Sequence, residues 1–472
     1  MKTYQDLLKI PEREKDRADF VKGVIADYQS STLYKTAVDA YTYDRCRNAT
    51  TMRYQKMITT LTGQKVADTI SAVHRSTSNF FNIFTTQLNQ YLLGNGVSWT
   101  NDGTEKNLPK NFDTRVQQAG KAALVGGVSY AYYNPANGDP LKVFKATEFA
   151  PLYDEETGEL AAGVRFWQID PSKPLRAQLF ETDGLTNYMW ANTEDKVSDG
   201  WQKVESGVYC MPKTSYVVQV VGDAKDKEDG TVEIREGEPL PGFPVVPLWA
   251  NPNHQSELVG LQEKIDAYDF ILNGWEDDLD NAQIYWIING AAGMDDPDLL
   301  QFLDRLKTVG AAAPAAGQTV TPYTVEIPVA ARNTLLDRLE RQLYIDAMIM
   351  NPHDIVAGAT TATQIRAAYE PQNVKCDQYE YCVIEFIEGI LRLAGIEDEP
   401  TFTRSTIVNT QEEVNTVIAA AQYLTDEYIT EKILTLLGDG DKAEEITKAK
   451  IANGYDRFAN DMEDEEPGEV VG

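Results

Sequence analysis

The chain has 472 residues, 42% apolar and 10% aromatic, with a formal net charge of −30. That supplies ample core for several folded domains and excludes a surface that grips nucleic-acid phosphate throughout, which needs basic patches. The charge is uneven: residues 1–100 carry 13 bases and 9 acids, whereas residues 396–472 carry 6 bases and 19 acids. Four cysteines (Cys46, Cys210, Cys376, Cys382) show no metal or redox spacing and imply a reducing compartment. No run of 18 apolar residues is present to cross a bilayer. The opening residues lack the apolar core of a signal peptide, so folding in the cytoplasm is expected.

Residues 1–95 read as helical, with periodic apolar faces over Tyr4–Tyr28 and Met57–Leu93 and a stop at Gly94-Asn-Gly96. A helix over Asn111–Leu124 ends at Gly126-Gly127, and Val128–Tyr133 follows as a strand. From there to Pro247 the pattern has period two, punctuated by turn signals at Asn137-Gly138-Asp139, Glu156-Thr-Gly158, Asp183-Gly184 and Lys227–Gly230. This predicts a β-rich domain of about 120 residues in an otherwise mainly helical α+β chain.

Ser256–Trp286 reads as one long helix. Leu258, Leu261, Ile265, Tyr268, Leu272, Trp275 and Leu279 alternate at spacings of three and four, the pattern of a helix with one sticky seam. Glu263, Asp266, Asp277 and Asp280 fall away from that seam. Small residues recur every seventh position at Gly260, Ala267 and Gly274, and each mid-helix glycine costs about 1 kcal/mol against alanine. Such a line suits close approach of another helix, with one charged face left open to water.

A compact insertion follows: a short helix over 296–309, a loop at 311–317 and a strand over Thr319–Ile327. A second long helix spans Ala330–Met350, with an apolar stripe of Leu336, Leu339, Leu343, Ala347 and Met350 and a mixed outer face of Arg332, Asp337, Arg338, Glu340, Arg341 and Asp346. Pro352 and Gly358 break the helix in Asn351–Ala362, a loop of small and polar residues including His353, Asp354, Thr360 and Thr361. Thr361 and Gln364 form a capping-box signal for a helix reaching Ala394. The last 60 residues read as three helical pieces and an acidic tail expected to be disordered.

No catalytic chemistry emerges. Three scattered histidines (His74, His254, His353) do not make a metal site, and phosphate-loop, nucleophile-elbow and zinc-protease motifs are absent. Neither an enzyme nor a cofactor is expected. The acids Asp277-Asp278 are read as a solvated helix face, with an Mg²⁺-dependent nuclease as a remote reading.

The order of these parts resembles the portal proteins of tailed bacteriophages, of the siphovirus head-portal type. The resemblance spans nearly the whole chain and rests also on local text. Asn111–Tyr130 is similar to the family's helix-to-strand entry, Phe149–Leu160 to its wing hairpin and Ile265-Asp-Ala-Tyr-Asp269 to the start of its stem helix. It implies a portal fold with a β-rich wing, a two-helix stem, a small α/β clip and a helical crown. The expected domains are 1–110 (helical wing), 111–250 (β-rich wing), 251–286 (first stem helix), 287–328 (clip), 329–350 (second stem helix), 351–362 (tunnel loop), 363–400 (wing helix) and 401–472 (crown with acidic tail).

The resemblance further implies a ring of about twelve copies at one capsid vertex of the virion, assembled in the host cytoplasm. Double-stranded DNA would pass through it in packaging and ejection. Terminase, a head-tail adaptor and the capsid and scaffolding proteins would be its partners, with no membrane involved. On that basis Asn351, His353, Asp354, Thr360 and Thr361 are the expected DNA-facing loop. Glu263, Asp266, Asp277 and Asp280 are the channel-lining acids, and Arg332, Arg338 and Arg341 the contacts between subunits. The residues alone also accommodate an acidic helical scaffold or adaptor without a channel.

Overall fold

The structure, a computed structural model, describes residues 2–59, 63–67, 73–101, 103–135, 137–191, 200–216, 218–221, 233–236, 240–280, 285–289, 319–323, 329–353, 362–405, 414, 417–420, 423–437, 446 and 448–449. The helix expected at 296–309, the loop at 311–317, most of the breaker loop and the acidic tail lie outside the described residues. The chain divides into two compact units. One comprises residues 1–349 and 375–403, the other residues 350–374 and 404–472.

The first unit opens with helices α1 (Tyr4–Leu8), α2 (Glu14–Ser30), α3 (Thr32–Asp44) and α4 (Ala49–Arg53). Thr3 and Asp6 close a reciprocal capping box on α1, and the Ser31 hydroxyl accepts from the Tyr34 amide at the start of α3, satisfying donors that helix starts leave unpaired. The periodicity reading fails next. In place of a helix from Met57, the chain forms a hairpin of β1 (Met57–Thr59) and β2 (Lys65–Ala67), with Gly63 at φ +80° between them. An irregular segment, 73–79, then leads into α5 (Phe80–Leu93). Short β3 (Ser98–Trp99) and α6 (Thr104–Asn107) precede α7 (Phe112–Gly126), which ends at Gly127 as its sequence predicts.

The β-rich region matches its period-two reading. It begins with β4 (Val128–Tyr133), β5 (Leu141–Lys145), β6 (Phe149–Tyr153), β7 (Leu160–Trp167), β8 (Leu175–Phe180) and β9 (Leu185–Trp190). It continues with β10 (Gln202–Glu205), β11 (Val208–Thr214), β12 (Val218–Val221), β13 (Glu233–Glu236) and β14 (Val245–Trp249). An antiparallel sheet runs in the order β10-β11-β9-β8-β7-β6, a second in the order β14-β4-β5, and β12 pairs with β13. Phe20, Val21, Val24, Ile25 and Tyr28 of α2 pack on Leu152, Val164, Leu179 and Tyr188 of the larger sheet. Tyr130, Phe144, Phe149 and Phe180 form an aromatic core beside it, with Tyr130 and Phe149 centroids 4.5 Å apart. Gly163 makes that packing fit: a Cβ there would stand 2.1 Å from the Phe149 ring. Each such aromatic, fully buried, contributes about 1.5–3 kcal/mol.

Beyond β14, α8 spans Gln262–Asp280 and β15 spans Tyr285–Asn289, so the expected Ser256–Trp286 helix is shorter at both ends. Gly260 sits at φ +86°, a left-handed conformation that stops a helix from extending back through it. At the other end, Tyr285–Ile288 is aromatic and β-branched, a composition that favours strand. β15 pairs antiparallel with β16 (Thr319–Tyr323), Tyr285 opposite Tyr323. α9 (Val329–Ala347) follows and ends at Met348, held at φ +53°.

The long helix α10 (Ala362–Ala394) carries Pro371 inside it and crosses from the second unit into the first after Val374. Within the first unit, Lys375 on α10 pairs with Glu257 and donates to the Ala347 carbonyl, and β17 (Pro400–Thr401) pairs with β3. In the second unit the Met350 amide donates to Gln372 Oε1 at 3.0 Å. Arg404 donates to Asn373, and α11 spans Asp426–Leu437.

Candidate functional site

The residues singled out by sequence gather on α8 and α9, two antiparallel helices of 19 residues each joined through the β15–β16 hairpin. Leu336, Leu343 and Ala347 of α9 are buried, as are Leu258, Leu261 and Ile265 at the start of the α8 region. Tyr268 of α8 and Tyr344 of α9 meet over α5, where both rings contact Phe80 edge-on and Tyr344 also contacts Phe84 at 5.0 Å. Burial pushes both phenols above their ordinary pKa. Ion pairs tie the two ends of the helix pair, Lys264 with Asp346 and Arg332 with Asp278. These pairs are solvent-facing and worth at most about 1 kcal/mol each.

Arg332 thus pairs with Asp278 of its own chain. Arg338 and Arg341 remain exposed and form no ion pair among the described residues. They share the outer face of α9 with Leu335 and Ile345, 44% and 60% exposed, and with exposed Asp337.

The acids expected on the open face of α8 divide. Glu263 is exposed. Asp280 closes the helix, and its side chain is outside what the structure describes. Asp266 and Asp277 have partners within the chain. Asp266 is half-buried and accepts from the Tyr43 hydroxyl at 2.6 Å. Asp277 is only 7% exposed and accepts from both the backbone N–H and Nδ1 of His74, at 2.7 and 2.9 Å.

Asp277 belongs to a polar ladder that the sequence reading missed. Asp269, Asn273 and Asp277 stand one helical turn apart on one face of α8, 0%, 7% and 7% exposed. The 73–79 segment runs antiparallel along them. The amides of His74, Ser76 and Ser78 donate to Asp277, Asn273 and Asp269 at 2.7, 2.7 and 2.9 Å. Asn273 returns a bond from its Nδ2 to the Ser76 carbonyl at 2.9 Å, as a paired strand would. Asn48 also donates to Asp269. Burial raises the Asp269 pKa, and the bonds from Asn48 and Ser78 oppose that rise. The small-residue line gains a different meaning too. Gly260 is a backbone requirement, while a Cβ on Gly274 would meet nothing within 4 Å, so no described helix packs tightly on it.

Of the breaker loop, the structure describes Asn351 to His353. The Asn351 side chain accepts from the His353 amide at 3.0 Å, and His353 is exposed. Asp354, Thr360 and Thr361 lie outside the described residues.

The family model for phage portal proteins of the SPP1 Gp6-like type matches residues 35–454, nearly the whole chain. The chain belongs to the phage portal protein family. Among similar proteins, the portal protein of Clostridium phage phiCD119 is 23% identical over 233 residues, 46% of this chain and 51% of that protein. The portal protein of Bacillus phage SPP1 is 22% identical over 384 residues, 75% of this chain and 72% of that one. The chain thus spans about half the length of the first relative and nearly three quarters of the second. A solved chain from the neck of an empty GTA particle computed with C6 symmetry aligns at TM-score 0.43 and 11% identity, covering 75% of this portal-family chain and 89% of its own length. Another, from the neck of a native GTA particle computed with C12 symmetry, aligns at TM-score 0.39 and 12% identity over 75% and 89% of the two chains.

Proposed function

We propose that identical copies of this chain close into a ring at one capsid vertex of a phage virion. The ring is the passage for double-stranded DNA in packaging and ejection. It docks terminase and later the head-tail adaptor, sits among capsid and scaffolding proteins, and is assembled in the host cytoplasm. The observation that carries this reading is the portal-family match over residues 35–454. The helix pair α8–α9 supports it, because it exposes groups of opposite charge, Glu263 on one helix and Arg338 and Arg341 on the other.

In that ring α8 and α9 are the stem, the β15–β16 region the clip, residues 351–362 the tunnel loop, residues 363–400 the wing helix and residues 401–472 the crown. Glu263 and Asp280 are the acids of α8 left for the channel wall, since Asp266 and Asp277 serve the N-terminal segment. A wall of that sign lets a polyanion slide, because like charges prevent tight binding. Asn351, His353, Asp354, Thr360 and Thr361 give brief contacts at the narrowest point. Arg338 and Arg341 face the neighbouring subunit, where charge-assisted bonds fix orientation.

Native mass measurement with end-on imaging tests the reading. A closed ring near twelve copies around an open pore is expected, and a stable monomer or dimer would instead favour an acidic scaffold without a channel. In the double variant Arg338→Glu/Arg341→Glu ring formation should be lost while the subunit stays folded; normal rings would remove those arginines from the interface.

A further inference from the structure

Between Asn48 and Ser78 the chain leaves the core of the first unit and returns, and one buried carboxylate pins both ends. Asn48 Nδ2 donates to one oxygen of Asp269, and the Ser78 amide donates to the other. The described part of this excursion is α4 and the β1–β2 hairpin. Two strands of three residues each do not hold themselves together in water without a further surface to pack on. Tyr54 meets the Phe270 ring of α8 at 5.5 Å, yet Met52, Met57 and Val66 are 47%, 51% and 38% exposed. Around them stand Arg53, Lys56, Lys65 and Arg75, against a single acid, Asp68, between residues 49 and 79. This is a basic, methionine-bearing arm on a chain whose net charge is −30.

The same chain carries a complementary surface. On α10, Asp377, Tyr381, Glu385 and Glu388 follow one another at intervals of four, four and three, so they form one stripe along the helix. Tyr381 is 73% exposed, and the three acids around it are exposed as well. Ammonium and guanidinium groups pair with carboxylates, and methionine sulfur packs against tyrosine ring edges. Both surfaces stay open in the single chain, so neither covers the other.

We infer that the arm of one subunit docks on the α10 stripe of a second copy of this chain. The inference rests on the ring assembly proposed above and names a contact within it. It joins two different patches, which is the head-to-tail arrangement that repeats around a closed ring.

The test uses full-length chains. Lys56→Glu/Lys65→Glu and Glu385→Lys/Glu388→Lys should each lower the assembled fraction at limiting concentration at least fivefold by native mass spectrometry. The four changes together should restore it to within twofold of the unmodified chain. Doubles that assemble normally, or a quadruple variant no better than the doubles, would overturn the contact. A photo-crosslinking residue at position 57, read in a mixture of ¹⁴N and ¹⁵N chains, supplies a measurement independent of charge. Crosslinks between copies onto residues 377–388 are expected, and crosslinks elsewhere or within one copy would overturn it. An unmodified chain that stays monomeric removes both this contact and the ring. One that assembles while the variants match it removes the contact alone.

Discussion

Phe149 and Asp269 are both wholly buried, the first within the β-rich layers and the second beneath the 73–79 segment of the same unit. Phe149 is held by dispersion and area removed from water, with Tyr130, Phe144 and Phe180 around it. Those forces have no strict direction, so the β-rich region asks only for apolar residues of the right volume at alternate positions. Asp269 is held by hydrogen bonds from Asn48 and Ser78, each with a fixed donor, distance and angle. The difference teaches that bulk apolar pattern builds the β layers, whereas three particular polar side chains attach the N-terminal segment to α8.

The comparison can be broken in several ways. The largest effect is expected from Phe149→Ala, which leaves a cavity in the aromatic core and should cost about 3–5 kcal/mol in urea unfolding. The loss should be global, with all probes of the first unit moving together. Asp269→Ala should cost less, about 2–4 kcal/mol, because a buried donor on Asn48 and a part-buried one at Ser78 lose their acceptor, at about 1–3 kcal/mol each. Here the loss should begin locally. Amide hydrogen exchange at residues 74–78 should quicken well before the β strands respond, and simultaneous exchange in both regions would erase the contrast.

A smaller effect concerns pH. Burial raises the pKa of Asp269 above its ordinary value of 3.8, so the folded chain binds that proton more readily than the unfolded chain. This contribution is therefore most favourable below 3.8 and is lost as pH rises through the folded value. In Asp269→Asn that downward slope should vanish, as read from unfolding curves at stepped pH. The smallest effect lies at the end of α9, where Met348 adopts φ +53°. Met348→Gly should raise the thermal midpoint, corresponding to about 0.5–1 kcal/mol, since a left-handed non-glycine residue costs about 1–2 kcal/mol and glycine returns part of that in chain entropy. No gain would mean that side-chain packing at Met348 outweighs the backbone.

The same contrast explains what could be read from sequence. In the β-rich region Asn137–Asp139, Glu156–Gly158 and Asp183–Gly184 each lie between consecutive strands, and Gly127 ends α7, because turn residues and period two are local signals. The helical reading of Met57–Leu93 holds over Phe80–Leu93 and misled before it, where apolar residues also fit a helical spacing. The β-branched Ile58-Thr-Thr60 and Gly63 were the better guide. Asp277 misled for a deeper reason. Polar residues one turn apart look the same whether they face water or a second stretch of backbone. Only the partner, distant in sequence, distinguishes the two. His74 gave no local sign that its amide would seek a carboxylate 203 residues away. Arg332 was placed on the right helix, but its bond to Asp278 depended on the antiparallel register of α8 and α9.

The ladder beside α8 also sets its own length. Two residues of extended chain advance about 6.6 Å, while four residues of α-helix advance about 6.0 Å. The two scales act as a vernier, drifting by about 0.6 Å per rung. Three rungs absorb that drift within ordinary bond lengths. A fourth would be out by about 2 Å, beyond hydrogen-bond tolerance. Toward the start of α8 the series stops at three: the next positions are Ile265, a buried hydrocarbon, and Phe80, where α5 begins. A single residue inserted between His74 and Ser78 would throw the remaining rungs out of phase, so this short seam tolerates substitution far better than a change of length.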